Sequence, residues 1–461
     1  MSTLHFGPNA WHARIGDGFD ESSITSIAYA LGDVWASSYK GSTVLVGYDT
    51  RRDSQRLAML AAEVIASFGL TVIVSDRVCP TPALGWAVAR DRSCVGGLML
   101  TAGNMPREYG GIVVRGADGG HISTQFAAEV ERRLRTARPD VVGEVRRSDL
   151  VSSYLNQLAS EADGSLISSA GLRVVVDAMY GAGSSYLTHL LKTLGCEVIA
   201  LHDKPVSDFR GLHPDTREPW VDECERAVVK HKADLGIVLD GDATHMALID
   251  ADGRLVSSHY LAPLALEHVV RQRGYGGRVV ATMASSARTA RQAELLGCDF
   301  TMVPVGAESI YREFFERDVI LATDATGSIW APRHLPERDA IMAALMLLEL
   351  ISGSGESMRG LVNACERNLG SMEYVGKDIR MDHGMVQRLR NLLPGINPPE
   401  VAGMEPTRIS HADGLRAELP DGSWILLRCS RMQPVVRIVA EAKSHARARE
   451  LLAWGTKLAS S

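Results

Sequence analysis

The sequence predicts an α/β fold: three similar α/β domains with mixed sheets, followed by a smaller C-terminal α+β domain. Two patterns carry this reading. A strand–helix–strand rhythm restarts three times along the chain, and roughly the last hundred residues replace it with short strand-like runs. The length agrees, since 461 residues hold about three domains or more at roughly 150 residues each. A composition of 46% hydrophobic and 23% charged residues is that of an ordinary globular chain. It excludes disorder, collagen and coiled coil as the main architecture.

The first block has a β-branched run at 43–47 (TVLVG), a polar turn (DTRRDS), helical spacing over 56–68 and a strand-like run at 70–75 (LTVIVS). Short β-branched runs read as strands, and apolar residues three and four apart read as a helix. Strand, helix and strand in that order place parallel strands under a covering helix. The second block repeats the order with 172–177 (LRVVVD), a GAG turn, a helix from about Ser184, and strands at 197–201 and 234–240. The third has strands at 278–282 and 301–304, a helix near 288–296 and a long apolar helix at 338–351. A polar turn is expected at 352–357. Strand-like runs at 414–419, 423–428 and 435–441 mark the last domain. The expected divisions are 1–155, 156–258, 259–368 and 369–461.

Charge and cysteine usage narrow the class. The net charge of −6 speaks against nucleic acid or a membrane surface as a partner. The richest apolar run, 341–348, meets Glu349 and is too short to span a bilayer. The N-terminus has no apolar signal core. Seven widely spaced cysteines without a CxxC pair imply a reduced, cytoplasmic protein with no disulfide framework and no zinc site. The basic residues are eight lysines and forty-one arginines, and no lysine occurs from Ala233 to Gly376.

Generic nucleotide and calcium motifs fail. No Walker A loop occurs, and Gly181-Ala182-Gly183 lacks the third glycine of a dinucleotide loop. The run from Asp240 begins like an EF-hand but has His245 at the turn glycine and Ala251 at the twelfth position. Four polar loops remain at strand ends, where α/β proteins bind ligands. They begin at Thr101 (TAGNMPREYGG), Asp240 (DGDATH), Thr323 (TDATGS) and Arg428 (RCSRMQP).

These loops, in this order, resemble those of the α-D-phosphohexomutase superfamily, which contains the phosphoglucomutases and phosphomannomutases. The same resemblance is carried by FGPNAWHA from Phe6, VGYDTR from Val46, VDAMYGAG from Val175, FRGLHP from Phe209, PVG ending at Gly306 and HLPERD from His334. It implies four domains around a central cleft. It also implies a mechanism with a phosphoserine in a TASHNP loop, magnesium held by the three aspartates of DGDxDR, and a GEESG loop reading sugar hydroxyls. A lysine after PVGF and an RxSGTEP loop for the remote phosphate complete the set.

The chain departs from that pattern in every loop. Gly103 stands at the phosphoserine position and has no side chain to carry a phosphoryl group, which removes covalent catalysis. Thr101 is a hydroxyl two residues away. Asp240 and Asp242 remain, while Thr244 replaces the third aspartate and His245 the arginine. Magnesium prefers anionic oxygen ligands, so a weak or vestigial site is expected. A structural role, capping a helix or pairing with arginine, is the alternative for both carboxylates. Asp324 and Thr326 remain to read hydroxyls, and Glu308 stands at the lysine position. An anion there would repel a phosphorylated ligand. Arg428, Ser430, Arg431 and Arg437 retain the makings of a phosphate anchor, and Arg51 survives in the first domain.

The residues therefore predict a phosphohexomutase-like protein without the nucleophile. It would bind a sugar phosphate or a partner protein, an active mutase among them, in a regulatory or scaffolding role. A repurposed enzyme is the alternative, with Asp240, Asp242, His245, Glu308 and Asp324 as acid–base candidates. A divergent active mutase is the second.

Overall fold

The structure, a computed structural model, describes residues 10–38, 41–134, 143–316, 318–430 and 434–460. Three α/β domains with mixed sheets precede a smaller C-terminal α+β domain. By packing, the chain forms two compact units: Met1–Ser258 with Arg271–Gly274 and Ser328–Leu361, and His259–Val270 with Tyr275–Gly327 and Val362–Ser461.

The first unit holds a seven-stranded sheet. Its order is Gly18–Phe19, Ala10–Ile15, Tyr109–Gly116, Cys94–Leu100, Thr43–Tyr48, Thr71–Ser75, Val145–Ser148. Thr43–Tyr48 is parallel to both neighbours and buried at every position, as a central parallel strand under helices must be. Helix Ser54–Ala66 covers it with Leu57, Ala61, Val64 and Ile65. A second sheet in this unit orders Met246–Asp250, Leu235–Leu239, Arg173–Asp177 and Glu197–Leu201, with only the first strand antiparallel. In each sheet a parallel strand reverses into an antiparallel partner. Cys94–Leu100 leads to Tyr109–Gly116, and Leu235–Leu239 leads to Met246–Asp250. The Gly103 and Asp240 loops are those two reversals.

The unit also contains the antiparallel pair Ile329–Ala331 and Leu335–Arg338 and the helix Ala340–Ser354. Eleven of that helix's fifteen residues are buried, so its all-round apolar surface belongs to a core. Two boundaries differ from the sequence reading. Arg338 ends a strand, and the helix begins only after Asp339, whose carboxylate accepts from the Ile341 and Met342 N–H groups. The helix continues to Ser354 and stops at Gly355, whose φ of +68° suits glycine. Among the described residues no single helix is long and apolar enough to cross a membrane.

In the second unit, Arg278–Thr282 lies parallel between Asp299–Val303 and Val319–Thr323. The C-terminal domain is an antiparallel sheet ordered Glu373–Arg380, Val435–Ala442, Trp424–Cys429, Leu415–Glu418, Arg408–Ser410. Helix His445–Ser460 packs on it through Ala448 and Leu451. The sequence reading missed the two edge strands, which carry charged, half-exposed residues in place of an alternating apolar pattern.

Candidate functional site

The Gly103 loop is held by one guanidinium. Arg51 follows strand Thr43–Tyr48 and is buried, with Phe209 against its face at 5.1 Å. Its Nε donates to Asp49 Oδ2 at 3.1 Å, Nη1 to the carbonyls of Pro106 and Tyr109, and Nη2 to those of Gly103 and Met105. All five N–H donors are thereby used. This corrects the expectation that Arg51 binds substrate, because no donor is left for one. It is a positioning residue for residues 103–106.

Gly103 itself has φ +53°, and a Cβ built on it would meet only the Asp242 carboxylate, 3.8 Å away. Gly241 is the reverse case: a Cβ there would come within 2.5 Å of the Gly103 carbonyl. The backbones of the two loops thus touch, and the space in front of Gly103 opens toward Asp242. Thr101 does not present its hydroxyl to that space. It is 1% exposed, bonds to Asp49 and accepts from the Gly103 N–H at 3.0 Å. His213 Nε2 holds the Asn104 carbonyl at 2.9 Å.

The Asp240 loop closes on itself. Asp240 Oδ1 accepts from the N–H groups of Thr244 and His245, and Oδ2 faces Thr244 Oγ1 and His245 Nδ1 at 3.2 and 2.9 Å. Arg338 Nη1 lies 3.2 Å from His245 Nε2. Arginine can only donate, so Nε2 accepts and Nδ1 carries the proton given to Asp240. Asp242 Oδ2 accepts from Thr81 Oγ1 at 2.6 Å, and Oδ1 from Thr244 Oγ1 at 2.8 Å. Burial, then the neighbouring Asp240 charge, pushes the Asp242 carboxyl up to about 6. Neither carboxylate caps a helix or pairs with an arginine by hydrogen bond, so that alternative takes a different form here: loop closure through Thr244, His245 and Thr81.

The residues do not fit a three-carboxylate magnesium site. One carboxylate is missing, and both oxygens of each remaining one already face protein donors. Among the described residues, Asp240 and Asp242 join no third acidic, histidine or cysteine ligand atom in a group compact enough for one ion.

The other two loops belong to the second unit. Asp324 Oδ1 accepts from the N–H and Oγ1 of Thr326 at 2.9 and 2.6 Å, closing a turn. Glu308 lies in the first turn of helix Ala307–Glu313, with Arg312 at 3.6 Å. His245 belongs to the first unit and Glu308 to the second. Arg428 Nε donates to Asp413 Oδ2 at 2.7 Å, and the same oxygen accepts from the Val305 N–H. Its two terminal amino groups have no partner among the described residues. Arg437 is its cross-strand neighbour, half-exposed, with Asp378 at 3.5 Å. Two cations directly opposite on one sheet face repel, and an anion between them relieves that. Ser430 is buried. Arg431 lies outside the described residues.

Sequence reading gave His213 and Arg338 only as parts of family-like motifs, with no role at the site, and missed Thr81 and Asp413. Thr81-Pro82 carries a helix-start signal, and the Asp413-Gly414 pair a turn signal. The partners of Thr81, His213 and Arg338 are 161, 109 and 93 residues away, whereas Asp413 and Arg428 are 15 apart.

Paired polar loops at the ends of parallel strands, over three α/β domains and a smaller fourth, define a phosphohexomutase fold. Three descriptions of the phosphoglucomutase/phosphomannomutase family match in tandem: α/β/α domain I over residues 3–140, domain II over 152–253 and domain III over 257–368. The chain belongs to the α-D-phosphohexomutase superfamily. It is 29% identical over 420 residues to a phosphoglucomutase/phosphomannomutase of Thermococcus kodakarensis, covering 90% of this chain and 89% of that one. It is 27% identical over 452 residues to a phosphoglucosamine mutase of Rippkaea orientalis, covering 95% and 88%. A crystal structure of a candidate phosphomannomutase from Thermus thermophilus superposes with a TM-score of 0.87 and 26% identity over the whole of both chains. Membership links the chain to carbohydrate metabolism and to mutase-type proteins.

Proposed function

We propose that this chain binds a hexose phosphate and does not run a phosphoenzyme mutase cycle, serving a regulatory or scaffolding role in the cytoplasm. The observation that carries this is Gly103. The loop around it is held by Arg51 and His213 and faces Asp242, yet its apex has no atom that could accept a phosphoryl group. The Thr101 hydroxyl is buried and committed to Asp49, and those of Thr81 and Thr244 to Asp242.

Ligand binding is supported by the second unit. Arg428 and Arg437 lie side by side with the Arg428 amino groups uncommitted among the described residues, and guanidinium forks suit phosphate. Arg431 and Ser430 belong to the same loop, and Asp324 and Thr326 would read sugar hydroxyls. Glu308, where the family keeps a lysine, removes the cation that would aid phosphoryl transfer. The hydrogen-bonded Asp240 loop needs no magnesium to hold its shape. Seven unpaired cysteines suit a reducing compartment.

Isothermal titration with glucose 1-phosphate, mannose 1-phosphate and glucosamine 6-phosphate tests the binding. At least one should bind saturably without magnesium, and Arg428→Gln should weaken it about tenfold or more, as loss of a charge-assisted hydrogen bond does. No saturable binding, or equal binding by the variant, contradicts the reading. A second reading, a divergent active mutase, is favoured by relatives of that name over nearly the whole chain. It needs a phosphate carrier other than Gly103.

A further inference from the structure

The second unit contains a cavity that none of the four loops lines. Its volume is about 280 Å³, the small end of the range for ligand pockets. One wall comes from strand Arg278–Thr282 and helix Ala287–Leu295, the other from the hairpin of Leu415–Glu418 and Trp424–Cys429. Phe300, Met302, Leu419 and Ala290 supply apolar surface.

Two guanidiniums decide what the cavity can hold. Arg416 is 3% exposed and stacks over Trp424 at 4.0 Å. Its Nε donates to Glu418 Oε1 at 3.2 Å and its Nη1 to the Met283 carbonyl, which leaves Nη2 without a partner among the described residues. Arg291 gives one Nη1–H to the Leu369 carbonyl at 2.7 Å. Its Nε and Nη2 are uncommitted among the described residues, and Nη2 would lie 3.3 Å from a Cβ built on Gly422 in the cavity wall. The hydroxyls nearby serve the protein itself: Ser423 donates to Asp421, Thr407 to the Glu418 carbonyl and Ser286 to Glu441. Arg416 lies in the field of two acids, Glu418 and Glu441, but the Glu441 oxygens are taken by Ser286, Ala287, Arg288 and Trp424, and Arg291 adds a second cation over an apolar floor. Guanidinium donors that no protein acceptor takes, at the wall of an open cavity, suit an anion.

We propose that this cavity binds a small organic anion: one carboxylate or phosphate group, held by Arg416 and Arg291, on a compact apolar body. A bare sugar phosphate suits it less well, because the Ser423, Thr407 and Ser286 hydroxyls have already given their protons to the protein, which leaves few donors for the sugar's oxygens beside an apolar wall. The site is separate from the hexose-phosphate loops, so it does not rest on the function proposed above.

Calorimetric titration of the full chain with phenyl phosphate, benzoate and inorganic phosphate tests it. Phenyl phosphate or benzoate should bind saturably at one site, and which of the two binds tighter identifies the head group. Inorganic phosphate, lacking the apolar body, should bind more weakly there. Arg291→Gln should weaken binding about tenfold, and Ala290→Phe, which fills the cavity, should abolish it. Both variants should keep the wild-type response to hexose phosphates. Absence of saturable binding by either aromatic anion overturns the proposal. So does unchanged binding by Arg291→Gln, which keeps the test informative if Ala290→Phe does not fold.

Discussion

Gly103 faces Asp242 across open space: a Cβ on Gly103 would stand 3.8 Å from Asp242 Oδ1, with nothing nearer. Glycine is not demanded there by crowding, in contrast to Gly241, where a Cβ would strike the Gly103 carbonyl at 2.5 Å. Only the φ of +53° favours it. Gly103→Ser should therefore fold with a loss of about 1–2 kcal/mol from the left-handed backbone. With the third metal carboxylate absent and Glu308 at the lysine position, the hydroxyl alone should not take up phosphate from glucose 1,6-bisphosphate, whereas adding Thr244→Asp and His245→Arg with magnesium should allow it. Intact-mass spectrometry should show one added phosphoryl group on that triple variant and none on the wild type. A triple variant that stays unmodified would argue that the loop no longer presents its apex to a sugar phosphate.

Arg51 should prove essential for the loop rather than for ligand contact. Arg51→Met removes five donors, leaves four carbonyls unmatched and takes the charged partner from the buried Asp49, which keeps only the Ser54 and Thr101 hydroxyls and the backbone N–H of residue 51. Breaking a buried pair in this way costs about 3–5 kcal/mol. Urea denaturation should show that loss. A change below about 1 kcal/mol would mean that the carbonyls find water easily and that the loop is held by other contacts.

Magnesium should leave the wild-type melting temperature unchanged, because Asp240 and Asp242 are satisfied by Thr244, His245 and Thr81. The double variant Thr244→Asp with His245→Arg restores the third carboxylate and removes the imidazole donor. Its melting temperature should rise with magnesium, corresponding to about 2.7 kcal/mol at a hundredfold excess over Kd. A magnesium-dependent rise in the wild type that Asp240→Asn abolishes would contradict the reading of the loop; a rise that survives it would come from elsewhere, such as the Glu218, Asp222 and Glu225 group.

His334 predicts a pH dependence. Burial alone lowers its pKa, but hydrogen bonds to Asp339 and Glu161 outweigh it and lift the imidazole to about 9. The folded state then holds a proton that the unfolded chain releases near pH 6.5. The stabilisation is complete below about pH 6.5 and is lost as pH rises through about 9, on the order of 3 kcal/mol at most. Melting measured across that window should fall with pH, and Asp339→Asn should flatten the fall. A wild-type profile with no fall between these values would show that His334 is not held charged.

The strands that sequence reading found and those it missed differ for a physical reason. Thr43–Tyr48 and Arg173–Asp177 are buried runs rich in β-branched residues, and Leu235–Leu239 is a fully buried apolar run with Ile237 and Val238, the pattern of a central parallel strand. Cys94–Leu100 is equally buried, but two glycines hide it. A Cβ at Gly96 would meet Trp35 at 2.9 Å, and one at Gly97 would meet Val88 at 2.8 Å, so packing overrides strand propensity. At the site, the four loops were legible through their resemblance to a family pattern. The work of Arg51 was not, since four of its five partners are backbone carbonyls. Nor was the contact of His245 with Arg338, because the two are 93 residues apart and meet only through the fold.

The central claim is that the chain holds a hexose phosphate without forming a phosphoenzyme. The most direct test incubates the wild-type protein with glucose 1-phosphate, glucose 1,6-bisphosphate and magnesium, and follows sugar phosphates by phosphorus NMR and the protein by intact mass. The account predicts no glucose 6-phosphate beyond the enzyme-free control and no phosphorylated protein. Steady conversion, or a stable phosphoryl group located in the peptide spanning residues 101–107, would contradict it.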